Sequence, residues 1–352
     1  MSSVIKDPRR WLNFVPATLK ASALYTALWE QLKDDPELLE LVALVDANQP
    51  IPITFFTTIN YLVLAEPLDP LAFYYPYLHP DEAPPLSEAY HAFRAFVLAH
   101  WAELRTLLPT ARLQTNEVTR CANLLPAFAL AYQRGGEQPL HMVEVGSSAG
   151  LNLLWHQYQY RYGSIAIGDP TSPVQILCEV QGGSLPPLPE RIPHVAQCQG
   201  IELCPRDIND EADMRWVRAA IWPEEVGRHH LLDAAIAFAR REGVSLNTGD
   251  ACDLLPDLLS AIPPSHTAVV WHSFAVHQGP LEVKACIDAQ IANASASRER
   301  TLYRVSLEFL DQARPQLELM TYEHGKMVKQ ELLARCAVHG EQMTWLLDGD
   351  TF

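Results

Sequence analysis

The sequence predicts an α/β protein in which a helical N-terminal part precedes a mostly parallel, Rossmann-like sheet. Three observations predict it. Up to residue 135 the periodic segments read as helix or loop. From residue 141 short β-prone runs alternate with helical runs, a pattern that packs as a parallel sheet covered by helices. At the head of that alternation the apolar run Met142–Val145 breaks into a turn of small residues, Gly146–Gly150, which outlines strand, tight turn and helix. The predicted domains are 1–135 and 136–352, the second carrying a hairpin insertion at about 164–195.

In chain order, residues 1–16 read as a lead-in arm. Apolar residues then recur at helical spacing from Thr18 to Ala47, with Pro36 between two helices. Ile51–Ala65 reads as a helix, and Glu66–Pro85, rich in Pro and Tyr, as a loop. Leu86–Leu108 reads as one long helix with Phe93, Phe96, Val97, Trp101 and Leu104 on one face. Asn116–Arg134 is predicted as the next helix, with Asn116 as its N-cap and Gly135-Gly136 as its stop. After the small-residue turn a helix is expected to about Tyr162, then a hairpin of Ile165–Ile167 with Val174–Val180. Strands are expected at Ala196–Leu203, Val244–Asn247, Thr267–Trp271 and Leu302–Leu307. Helices are expected at Asp213–Arg241 (interrupted near Pro223), Leu254–Ile262 and Leu281–Ser295. A strand-rich tail follows at Leu317–Tyr322, Leu332–Val338 and Met343–Leu347.

Composition narrows the partners. The chain has 352 residues, 48% hydrophobic and 19% charged, which is ordinary for a soluble globular protein. Its 42 acids against 26 bases give a net charge of −16. That argues against nucleic acid or an anionic membrane as the main partner and leaves a small-molecule substrate. The seven cysteines (Cys121, Cys178, Cys198, Cys204, Cys252, Cys286 and Cys336) contain no C-x-x-C pair, so no metal site is expected and reduced, buried thiols are. There is no basic-then-apolar leader and no apolar run near the ~18–20 residues of a membrane span, so a cytoplasmic location is expected.

Gly146–Gly150 fits two enzymes. Its five residues spell G-x-S-x-G, the elbow of serine hydrolases, with Ser148 as nucleophile and Asp250 with His272 or His277 completing the order acid, then histidine. That fold needs strands before the elbow, and none is evident before residue 141. The other fit is a nucleotide-type site, where a glycine turn on the first strand lets a ligand approach backbone N–H groups. Acids at the ends of the following strands then bind ribose and adenine. Glu202, 52 residues beyond Gly150, is the ribose candidate; Asp169, 19 residues beyond, is its rival. Asp250 ends the third strand and suits an adenine amino group. The ordered set of Glu144, Gly146, Gly150, Glu202 and Asp250 is the pattern of an S-adenosylmethionine site. A dinucleotide site prefers a glycine where Ser148 stands, because pyrophosphate needs closer backbone approach.

Several segments also resemble a known family. Asn116-Glu117-Val118-Thr119-Arg120, the stretch Val143–Leu153, Tyr160-Arg161-Tyr162-Gly163, Gly200-Ile201-Glu202-Leu203, Arg215-Trp216 with Trp222-Pro223-Glu224, and His339-Gly340 look like the uncharacterised bacterial family catalogued as domain of unknown function 2332. The resemblance covers most of the chain. It implies a fold related to S-adenosylmethionine-dependent methyltransferases and supplies no substrate. Glu202 stands where relatives are expected to carry aspartate, a conservative departure.

The expected function is therefore methyl transfer from S-adenosylmethionine to a small molecule, with a methyltransferase-type fold. The alternatives are a non-catalytic ligand-binding protein of the same fold and the Ser148 hydrolase. Glu144 is expected to orient the turn or a ligand ammonium, with Ser147, Ser148 and Asn152 beside the ligand. Asn116, Glu117 and Arg120 belong to a helix that can close over the cofactor, a role the resemblance favours over the plain cap and Glu117–Arg120 ion pair. His272, His277 and Glu117 are the candidates for acid–base work. The N-terminal helices and the Tyr/Pro-rich loop are expected to shape the acceptor pocket.

Overall fold

The computed structural model describes residues 19–82, 84–182, 184–309 and 314–347, so the lead-in arm at 1–16 lies outside the described residues. The chain divides into two compact units, Met1–Thr115 with Asn209–His230, and Asn116–Ile208 with Leu231–Phe352.

The described elements of the first unit are helices and turns. Ser22 caps the helix Ala23–Leu32 through the Tyr25 N–H, and Asp35 caps Pro36–Val42 through the N–H groups of Glu37 and Leu38. Ile51–Val63 is helical, and Phe56 on it stacks on Tyr25 at 4.5 Å. The expected single helix Leu86–Leu108 is two, Leu86–Ala99 and Trp101–Leu107. The break falls at His100, whose backbone N–H and ring Nδ1 both lie on the Phe96 carbonyl, at 3.0 and 2.9 Å. The later segment joins through buried polar groups. Asn60 Nδ2 donates to the Ala219 and Ile221 carbonyls, and Glu224 Oε1 accepts from Ser22 Oγ and Leu24 N, both at 2.9 Å. The family-like Arg215 lies over the Tyr61 ring and donates to its hydroxyl at 2.7 Å.

The second unit is built on an eleven-stranded mixed sheet. Its strands are β1 Leu140–Val145, β2 Gln159–Tyr162, β3 Ile165–Ile167, β4 Gln175–Gln181, β5 Val195–Glu202, β6 Leu246–Thr248, β7 Thr267–Ser273, β8 Leu302–Glu308, β9 Gln316–Glu323, β10 Lys326–Cys336 and β11 Gln342–Trp345. The order across the sheet is β3-β2-β4-β11-β10-β9-β8-β7-β1-β5-β6. β6, β5, β1, β7 and β8 run parallel, and β8 to β11 form an antiparallel meander. Side chains alternate across the sheet. Val143, Val145, Ala268 and Val270 pack with Leu255, Leu259, Ile287 and Ile291 of the helices Ala251–Ser260 and Leu281–Ala296. On the other face lies the helix Arg120–Arg134, where Phe128 contacts the rings of Trp155 and Trp271.

Four local expectations are corrected. The helix after the turn is a 3₁₀ segment, Leu151–Gln157, and β2 begins at Gln159. Tyr158, just before β2, and Tyr160 and Tyr162 within it are buried, and their hydroxyls donate to the carbonyls of Leu151, Trp155 and Ala122. Alternating aromatics suit a pleated strand better than a helix. The hairpin is β2–β3; β4 pairs with β2 in parallel instead of closing on β3. The helix expected from Asn116 starts at Arg120. Finally, Cys252 and Cys286 are joined as a disulfide between the helices Ala251–Ser260 and Leu281–Ala296, with Cα atoms 5.9 Å apart, where reduced thiols were expected. The two helices pack side by side, which sequence spacing does not reveal.

Candidate functional site

β1 leads into a turn whose shape is set by contacts on both sides. Gly146 (φ +81°) has no room for a side chain: a Cβ there would lie 2.3 Å from the Cβ of Ala275. On the neighbouring strand a Cβ on Gly200 would lie 2.1 Å from Ser147 Oγ. Gly150 (φ +76°) and Ser148 (φ +55°) also take the left-handed region that favours glycine. The N–H groups of Gly146 and Ser147 donate to the Ile201 carbonyl at 2.9 and 3.3 Å.

Side chains of the same unit engage the N–H groups expected to face a ligand. Ser148 N donates to Glu202 Oε2 at 2.8 Å, and Leu151 N donates to Asn116 Oδ1 at 3.1 Å. Asn116 thus caps the 3₁₀ segment after the turn rather than its own helix. Asn152 Nδ2 reaches the Glu117 carbonyl at 3.5 Å. Three buried atoms of the turn, Glu144 Oε2, Ser148 Oγ and Asn152 Oδ1, have no hydrogen-bond partner among the described residues. Glu144 is 2% exposed, opposite Gly200 on one side and Trp271 on the other. Burial, then the charge of Glu202, pushes its carboxyl well above the ordinary glutamate value, which favours the protonated form.

Glu202 ends β5 beside the turn, and its Oε1 also accepts from Cys204 N at 3.2 Å. Asp250 follows β6 and caps the helix Ala251–Ser260 through Cys252 N at 2.8 Å. Asp169 lies in the connection after β3 and bonds the backbone and hydroxyl of Thr171; it is not at the end of a strand adjoining β1.

The remaining family-like segments converge on the other side of the turn. The Arg120 guanidinium lies 3.9 Å from the Phe274 ring centroid, and its Nε donates to the Val338 carbonyl at 3.3 Å. His339 Nδ1 lies 3.6 Å from Glu117 Oε2, and Asn123 Nδ2 donates to the Gly340 carbonyl. Gly340 (φ +91°) is required because a Cβ would press on the Thr119–Arg120 backbone at 2.6 Å. The spacing of His339-Gly340 from Asn116–Arg120 gives no hint of this contact.

His272 and His277 meet on a residue the sequence reading missed, Glu308. Glu308 Oε1 accepts from His272 Nδ1 at 2.5 Å and from the N–H groups of Ala275 and Val276 at 3.1 Å; Oε2 accepts from His277 Nδ1. Arg304 donates to His272 Nε2 at 2.9 and 3.1 Å and pairs with Asp288. His272 Nε2 is therefore an acceptor and Nδ1 carries the proton. Burial lowers the His272 pKa despite Glu308, which keeps the ring neutral. Burial opposes the Glu308 charge, but the hydrogen bonds from His272 and His277 outweigh it and hold the carboxyl well below the usual range. Glu308 was findable: it is the acid at the C-terminal end of a strand, the criterion that selected Glu202.

These residues line a cavity of about 640 Å³ that also takes in Lys284, Ser306, Phe309, Glu318 and Met320. All its lining residues belong to the second unit. Ala275 connects it to the turn, packing on Gly146 while its N–H serves Glu308. Among the described residues no group of three or more His, Cys, Asp or Glu is placed to hold a metal ion, and no helix is long and apolar enough to cross a membrane.

Comparison with curated proteins finds no match. A family model described as an uncharacterized protein conserved in bacteria (DUF2332) matches residues 14–345, including every segment of the turn and the histidine cluster, and the chain belongs to that family.

Proposed function

We propose that the protein is an S-adenosylmethionine-dependent methyltransferase acting on a small molecule, with a Rossmann-like, methyltransferase-type sheet. One observation carries the reading. The parallel core runs β6-β5-β1-β7-β8, so the strand order reverses at β1, and the glycine turn leaves that strand with Glu202 beside it. Ligands of open α/β sheets bind in the crevice at such a switch point, outside the C-terminal strand ends.

The residues present fit the cofactor. Each Glu202 oxygen accepts one N–H and keeps capacity for a ribose hydroxyl. Asp250 engages one oxygen in its cap and keeps the other for an adenine amino group. The unpartnered Glu144 Oε2, Ser148 Oγ and Asn152 Oδ1 are hydrogen-bonding groups awaiting a partner, which buried polar atoms ordinarily have. When bound, the cofactor supplies a methyl group on a sulfonium. The chain supplies alignment and, for a protonated nucleophile, a base. His277 suits that role, since Glu308 holds its Nδ1 and the ring lines the cavity. His272, with both ring nitrogens engaged, acts by positioning Glu308.

Ser148 has the positive φ of an elbow serine, yet its Oγ meets no imidazole, so the hydrolase reading is not adopted. Titration calorimetry with S-adenosylmethionine and its demethylated product tests the proposal. Saturable heat that Glu202→Ala weakens at least ten-fold is expected; no heat and no thermal shift would refute it. Binding without turnover on a broad acceptor panel would favour the non-catalytic ligand-binding protein, and fluorophosphonate labelling of Ser148 would favour the hydrolase.

A further inference from the structure

The cavity beneath the helix Leu281–Ala296 is large enough for a small molecule. Its polar groups divide into those the protein already engages and those it does not. Asp288 pairs with Arg304, and Arg304 also holds His272. Glu308 takes two imidazoles and two backbone N–H groups, and Glu318 accepts from Gln330 at 2.8 Å. Three lining groups have no hydrogen bond or ion pair among the described residues: the Lys284 ammonium, the Ser306 hydroxyl, and the second ring nitrogen of His277, Nε2. Lys284 is exposed at the cavity, a turn away from Asp288 on the same helix, whereas Ser306 is buried. Arg304 has Asp288 as its partner, so Lys284 is the lining lysine or arginine without a carboxylate partner among the described residues. The His277 ring nitrogen left open to the cavity is Nε2, because Nδ1 faces Glu308. Val276, Leu281, Ala289, Phe309 and Met320 supply apolar wall between them.

We propose that this cavity binds a small hydroxy-carboxylic acid, its carboxylate paired with Lys284 and its hydroxyl donating to His277 Nε2 across an apolar body. Proton transfer follows from this arrangement. The hydroxyl proton passes to Nε2, the oxygen keeps the electron pair and becomes the nucleophile, and the imidazolium that results is held against the Glu308 carboxylate. Ser306 offers a further donor to the bound acid. Calling the molecule a methyl acceptor rests on the methyltransferase reading; its binding does not.

The test is therefore made without S-adenosylmethionine. Calorimetry and imidazole-resonance NMR are run with 4-hydroxybenzoate, 4-hydroxyphenylacetate and 3-phenyllactate, which set the hydroxyl at different distances from the carboxylate. Each is paired with its methyl ester and its deoxy analogue. At least one acid should bind saturably and shift the His277 resonance, with its ester at least ten-fold weaker. Lys284→Gln, a change at an exposed position, should remove that ten-fold preference. His277→Asn should remove the preference for hydroxy over deoxy acid while leaving acid over ester. An ester that binds as well as its acid, unaltered binding in Lys284→Gln, or no binding by any of the three acids overturns the proposal. A protein that binds the acid but not S-adenosylmethionine keeps this inference and loses the methyltransferase reading; the reverse pattern does the opposite.

Discussion

Two buried glutamates, both on central strands, are driven in opposite directions by what surrounds them. Glu308 receives four hydrogen bonds and stays ionised; Glu144 has an unpartnered oxygen beside a like charge, and its carboxyl is shifted toward the protonated form. The stability consequence for Glu144 has a definite sign. Its folded pKa lies above the ordinary value of 4.5, so between those two values the folded state binds more protons than the unfolded state, and stability falls as pH rises through that window. Glu144→Gln has no proton to retain. Relative to wild type it should gain up to about 1.4 kcal/mol for each pH unit climbed within the window, and nothing below it. Melting curves of both proteins from pH 4 to pH 8 check this, and parallel curves would show that the carboxyl ionises in place. The acid of β1 was legible because a charged residue inside an apolar run stands out. Glu308 closes its strand, and nothing local marks it as the meeting point of two histidines 31 and 36 residues away.

At the scale of elements, the turn is a set of backbone positions fixed by neighbours that are remote in sequence. Gly146 yields to Ala275, Gly200 to Ser147 and Gly340 to the Thr119–Arg120 backbone. Gly146→Ala combines a left-handed φ with a Cβ contact of 2.3 Å. It should destabilise the protein by more than the ~1–2 kcal/mol that left-handed backbone alone costs an L-residue. Adding Ala275→Gly should recover the contact component and leave the backbone component, which denaturant titrations of the single and double variants separate. A double variant no more stable than Gly146→Ala would show that the two residues do not press on each other. The 3₁₀ segment after the turn illustrates where periodicity misleads. Leu151–Gln157 is made of good helix formers, but the buried tyrosines that follow bind their hydroxyls to nearby carbonyls and draw the chain into β2.

At the scale of the whole molecule, the second unit joins a parallel core to an antiparallel meander, and β11 carries the sheet on to β4 and the β2–β3 hairpin. On one face of the core the helices Ala251–Ser260 and Leu281–Ala296 are cross-linked by Cys252–Cys286. The bond closes a loop of 34 residues, for which chain entropy predicts ~3–4 kcal/mol of stabilisation. Dithiothreitol should lower the melting temperature of the wild type and leave that of Cys252→Ser/Cys286→Ser unchanged. Alkylation followed by mass analysis of the unfolded, unreduced chain should find five labelled cysteines; seven would refute the cross-link.

The sequence by itself determined the alternation of strands and helices after residue 140, the glycine turn on the first strand, and the acids at the ends of β5 and β6. Those features are written in local periodicity and in residues that only certain backbone conformations accept. Tertiary structure decided the rest. It set the parallel pairing of β2 with β4, carried the helix Arg120–Arg134 onto the sheet and brought Asn116 to Leu151. It also placed Glu308 between His272 and His277. Each of these joins residues far apart in the chain, and their pairing is selected by packing and by the cost of leaving buried polar groups unbonded, which no short window of sequence records.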